Sequence, residues 1–80
     1  MKIISYYGEA MSKSIQLKFG ANLKKYRILR KLTQQQLAEL AEIEYKYIQR
    51  LEGKKPTAVR IDTVARLAKA LKISPSSLLD

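Results

Sequence analysis

Eighty residues, 46% of them apolar, make one small domain, because a second independent core needs roughly another 50 residues. Sixteen Lys and Arg against seven Asp and Glu leave a net charge of +9 and a pI near 10.0, so a polyanion is the expected partner. The absence of Cys, His and Trp excludes disulfide scaffolds, thiolate zinc sites, cysteine nucleophiles and histidine bases.

Residues 1–14 mix Ile, Tyr, Ser and Gly without helical period, and read as an N-terminal extension, either strand-like over 3–7 or disordered. Met11 is an alternative start. No window reaches 18 apolar residues and the first eight lack the apolar stretch of a secretory signal, so no membrane partner and a cytoplasmic protein are expected. Ile15, Phe19, Leu23 and Tyr26 fall at helical spacing and predict a first helix over 15–31. Lys18, Lys24, Lys25, Arg27, Arg30 and Lys31 occupy its other faces without an acid. Gly20 inside it weakens the helix by about 1 kcal/mol relative to Ala and marks a close helix contact.

Thr33 followed by Gln36 has the spacing of a capping box, and Leu37, Ala38 and Ala41 give a second helix over 34–41 an inward stripe. A third helix over 45–52 follows, led by Ile43, with Ile48 and Leu51 facing inward and Gly53 at a position that favours a left-handed C-cap. After the loop that begins at Lys54 and Lys55, Ile61, Val64, Leu67, Ala68 and Leu71 predict a fourth helix over 61–71, with Asp62 at its positive end. Ser74 and Pro75 open a short fifth helix containing Leu78 and Leu79. The expected fold is all-α: a compact five-helix domain over residues 15–80.

Two short helices joined by a few residues around Ile43 cross steeply, and Ala38 permits their close approach. Packing through Ile48 and Leu51 leaves Tyr45, Lys46, Gln49 and Arg50 outward. Such a face suits a major groove about 12 Å wide, where Arg pairs with guanine and Gln with adenine.

The chain resembles the Cro/phage-repressor (lambda-repressor-like) helix-turn-helix family. Phe19-Gly20, Asn22-Leu23-Lys24-Lys25, Arg27, Leu32-Thr33-Gln34 and Leu37-Ala38 carry the resemblance, with Tyr47-Ile48, Arg50-Leu51-Glu52, Leu67-Ala68-Lys69-Ala70-Leu71, Ile73-Ser74 and Leu78-Leu79. It implies base reading by Tyr45, Lys46, Gln49 and Arg50, and contact with the DNA backbone by Gln34, Tyr47, Lys54 and Lys55. Gln34 is also expected to buttress the recognition helix, and Arg27 and Glu52 to form a partly buried salt bridge. An acid at the carboxyl end of a helix opposes the dipole and independently asks for a cation. Glu42 stands where the family has Gly, Glu44 replaces the usual Ser or Thr cap, and the 52–61 loop is one residue longer than the pattern.

Lys24 and Lys25 read more simply as a solvated face than as DNA contacts. Glu39, Glu42 and Glu44 converge too poorly to hold a hard cation, and Ser12, Lys13 and Ser14 lack the surroundings of a serine–lysine nucleophile. No metal, cofactor, small-molecule effector or catalytic role is therefore expected. The expectation is a DNA-binding transcriptional regulator acting as a homodimer on a near-palindromic operator, with contact to RNA polymerase among its partners. Its short length without an effector domain suits a Cro-like repressor or a restriction–modification controller. An antitoxin-type module that grips a toxin is the alternative.

Overall fold

The computed structural model describes residues 13–55 and 57–80. Within them the apolar period becomes five α-helices and no strand: α1 Lys13–Leu29, α2 Gln34–Ala41, α3 Tyr45–Leu51, α4 Ile61–Leu71 and α5 Pro75–Leu79. The predicted strand over 3–7 and the alternative start at Met11 lie outside the described residues. Phe19, Leu23, Leu37, Ile48, Leu67, Leu71 and Leu78 are fully buried and take one or two side chains from every helix. α1 packs on α3, α4 and α5, while α2 packs on α3 and α4. The Asn22 amide donates to the Leu78 carbonyl at 3.0 Å, fastening α5 across α1. None of these helices is long and apolar enough to cross a membrane.

Local chemistry explains the boundaries. The Thr33 hydroxyl accepts from the Gln36 N–H at 3.0 Å and the Gln36 side chain accepts from the Thr33 N–H at 2.8 Å, so the capping box is complete. α1, α2 and α4 each end on a left-handed residue, Lys31, Glu42 and Lys72, with φ of 59°, 58° and 60°. In each case the next N–H turns back to a carbonyl in the last turn: Leu32 to Arg27 at 3.1 Å, Ile43 to Ala38 at 2.9 Å, Ile73 to Ala68 at 3.0 Å. Leu32, Ile43 and Ile73 also pack against the core, which holds the reversals in place although none uses glycine.

Two sequence expectations are corrected here. Helix α1 already includes Lys13 and Ser14, ahead of the predicted residue 15, and it ends at Leu29 because Lys31 has already left helical geometry. Gly53 is not a left-handed cap: no described glycine has positive φ, and α3 closes through Glu52 at φ −88° with the Gly53 N–H donating to the Arg50 carbonyl at 3.1 Å.

Gly20 has a different task from freeing the backbone. A Cβ at this position would overlap the Leu51 carbonyl oxygen, so α1 meets the end of α3 backbone to backbone. Gly20→Ala gains about 1 kcal/mol of helix propensity but forces the helices apart, and is expected to lower stability by about 1–3 kcal/mol net. Glu42→Gly removes the left-handed strain and is expected to raise stability by about 1 kcal/mol. Urea unfolding followed by circular dichroism measures both; a raised midpoint for Gly20→Ala or a lowered one for Glu42→Gly contradicts the assignment.

Candidate nucleic-acid interface

α3 is fixed from behind before it presents anything outward. Ile48 and Leu51 are buried beneath it. Glu52 then accepts from Arg27 Nε at 2.7 Å, Arg27 Nη2 at 3.0 Å and Gln34 Nε2 at 3.0 Å. Arg27 Nη1 donates to the Leu32 carbonyl at 2.8 Å. The Glu52 side chain is only 2% exposed and that of Arg27 12%, so this is a nearly dry ion pair, and no buried side-chain N or O among the described residues lacks a partner. It joins α1, the start of α2 and the end of α3. Gln34 has one amide proton on Glu52, leaving its second outside this network.

The opposite face of α3 carries Tyr45, Lys46, Gln49 and Arg50, all exposed, Tyr45 at 41%. The side chains of Tyr45, Lys46 and Gln49 make no hydrogen bond or ion pair to another described residue. Glu44, Lys46, Tyr47, Gln49 and Arg50 line a shallow hollow along this face. A second hollow, at the carboxyl end of α3, is lined by Arg50, Gly53, Lys54, Lys55 and Thr57 and gathers three cations.

Tyr47, which the family resemblance assigned to the DNA backbone, is engaged within the fold. Its hydroxyl donates to the Ala58 carbonyl at 3.0 Å, which occupies the one proton it could offer to a phosphate. The Arg50 guanidinium lies 5.6 Å from the centroid of its ring. The single proton of the Thr57 hydroxyl is shared between the carbonyls of Arg50 at 3.2 Å and Lys55 at 3.3 Å. The loop after α3 is thus tied to the helix by Thr57 and Ala58, neither of them among the sequence-predicted site residues. Arg30 was missed as well: one of the six cations of the first-helix region, it donates to the carbonyls of Leu71 at 2.7 Å and Lys72 at 3.3 Å and so covers the negative end of α4.

Glu42 takes the left-handed position in the turn between α2 and α3, at φ 58° and ψ 47°. Glu44 is the N-cap of α3 and its side chain makes no capping hydrogen bond. No group of three or more acids among the described residues could hold a metal ion.

Two short helices in this arrangement, the second presenting polar side chains, form a helix-turn-helix. A model of the Cro/C1-type HTH DNA-binding domain matches residues 22–80. The chain belongs to this family. The Cro/C1-type domain is similar to the restriction–modification controller protein C.AhdI from Aeromonas hydrophila, at 32% identity and TM-score 0.73 over 79% of this chain and 94% of that one. It is also similar to SinR, a master regulator for biofilm formation solved in complex with DNA, at 27% identity and TM-score 0.74 over 78% and 98% of the two chains. ClgR, the clp gene regulator from C. glutamicum, gives 26% identity and TM-score 0.73 over 81% and 83%. No curated protein matches the chain. The family and these neighbours make the Cro/C1-type domain a DNA-binding regulator domain.

Glu52→Ala strands the Arg27 guanidinium in a nearly dry site and is expected to cost about 3–5 kcal/mol. The double variant Arg27→Met, Glu52→Leu replaces both charges with apolar bulk and is expected to recover most of that loss. Denaturant midpoints of the three proteins measure it; a double variant no better than Glu52→Ala contradicts the ledger.

Proposed function

We propose that the chain is a sequence-specific regulator of transcription, of the Cro-like repressor or restriction–modification controller kind, that binds a near-palindromic operator as a homodimer. The observation that carries this reading is the exposed set Tyr45, Lys46, Gln49 and Arg50 on a helix whose other side is clamped into the core. In this reading α3 enters the major groove. Arg50 pairs with the O6 and N7 of a guanine and Gln49 with the N6 and N7 of an adenine, while Lys46 and Tyr45 meet neighbouring base edges or sugars. Lys54 and Lys55 neutralise phosphates beside the carboxyl end of α3, and Gln34 offers its free amide proton to another. Tyr47 is left out of the phosphate contacts.

One copy offers few contacts, so two recognition helices set about 34 Å apart supply the affinity and the symmetry of the site. Ile61 at the head of α4 and Leu79 at the end of α5 are exposed apolar side chains that support these two helices as the meeting surface. With about four phosphates neutralised per subunit, log affinity falls against log salt with a slope of roughly −7. Regulation then follows from excluding or recruiting polymerase at the operator, which places the protein with the nucleoid in the cytoplasm.

Selection from random duplex DNA is expected to return a symmetric motif; no enrichment would sink the reading and leave the toxin-binding one standing. On the selected site, Arg50→Ala is expected to relax preference at one base pair per half-site by about 1–3 kcal/mol. Lys55→Ala is expected to weaken cognate and scrambled DNA alike and to reduce the salt slope by about 1 per subunit. Equal losses on both DNAs for both variants would refute the division between reading and anchoring.

A further inference from the structure

We infer that Tyr47 is a positioning residue for specificity: its ring holds the Arg50 side chain, and its hydroxyl holds the loop that carries Lys54 and Lys55. This inference rests on the DNA-binding reading above and adds to it a residue that touches neither base nor phosphate. Tyr47 and Arg50 are three apart on α3 and therefore neighbours on its surface. At 5.6 Å the guanidinium is within the roughly 6 Å over which a cation is attracted to an aromatic face. The ring is itself held, because its hydroxyl is fastened to the Ala58 carbonyl. The loop returns the constraint, because Thr57 is bonded to the carbonyl of Arg50. Tyr47, Arg50, Thr57 and Ala58 thus form a closed circuit between helix and loop. Arg50 enters it through both its side chain and its main chain.

A free arginine carries much rotamer entropy, which binding in a fixed paired geometry must remove. A guanidinium stacked beforehand has less to lose, so its preference for one base is sharper. The loop gains in the same way: Lys54 and Lys55 are on a segment fixed to α3 through Tyr47–Ala58 and Thr57–Arg50 rather than on a free strand. Fixing both from one side chain keeps base reading in register with backbone contact, since neither can shift along the groove without the other.

Two variants of the full chain separate the two holds. Tyr47→Phe keeps the ring and loses the hydroxyl; Tyr47→Leu loses both. In the free protein, ring-current shifts of the Arg50 side-chain protons are expected to persist in Tyr47→Phe and vanish in Tyr47→Leu. Amide exchange over residues 57–60 is expected to quicken about two- to tenfold in both variants, the loss of one hydrogen bond. On the selected operator, Tyr47→Phe is expected to weaken cognate and scrambled DNA equally. Tyr47→Leu is expected in addition to lose about two- to fivefold of discrimination per half-site, at the same base pair that Arg50→Ala relaxes. The double variant Tyr47→Leu, Arg50→Ala is then no less discriminating than Arg50→Ala alone.

Full discrimination by Tyr47→Leu overturns the inference, as does a wild-type Arg50 without ring-current shifts. A tyrosine that merely touched a phosphate would leave the free-protein shifts and exchange rates unmoved in both variants, which also overturns it. If selection returns no motif, the specificity role falls together with the DNA-binding reading. Failure of Tyr47 alone differs from that result, because a motif is then recovered and Arg50→Ala still relaxes it.

Discussion

The carboxylate of Glu52 organises this domain. It lies at the negative end of α3, where an isolated acid opposes both the helix dipole and its own burial. It is tolerated because two Arg27 donors and one from Gln34 converge on it, while the third guanidinium bond goes to the chain at Leu32. Three elements are therefore referred to one point. Apolar packing alone would permit α3 to rotate or slide with modest loss, whereas a nearly dry ion pair with directional hydrogen bonds does not. The orientation of the exposed face follows from the charges on its buried side.

A second set of constraints works at the other side of the same helix. The loop after α3 has no regular structure of its own, yet the hydroxyls of Tyr47 and Thr57 satisfy loop and helix carbonyls and Val59 packs against the core. The positive charge is accordingly divided by use. Arg27 and Arg30 are engaged with carboxylate and carbonyl oxygens inside the fold. Lys46, Lys54 and Lys55 remain solvent-exposed around α3. A count of +9 does not distinguish these populations; geometry does.

Much of the fold was legible because its signals are local. Thr33 and Gln36 declare the start of α2 three residues apart, and Pro75 after Ser74 declares α5. α2 and α4 end at the predicted residues 41 and 71, but α1 stops short of 31, because the left-handed residues are Lys31, Glu42 and Lys72, whose side chains give no hint of positive φ. The available signal was the aliphatic residue just after each of them: Leu32, Ile43 and Ile73. Gly53 misled for the converse reason, being a glycine whose freedom α3 does not use. The exposed face followed from the helical period, but the partner of Arg27 came only with the family resemblance, because residues 25 apart show no pattern. The tie of Tyr47 to Ala58 was illegible altogether, since a main-chain carbonyl has no residue identity to read.

The contact at Gly20 has a consequence for how such a protein can change. Main chain touching main chain fixes the distance between α1 and α3 with atoms that mutation cannot alter, provided position 20 stays without a side chain. The side chains of residues 45, 46 and 49 meanwhile make no hydrogen bond or ion pair to the rest of the described molecule. The lettering on the outside of α3 can therefore be rewritten while its mounting stays still, and a lineage carrying this domain can acquire a new target without first repairing its scaffold.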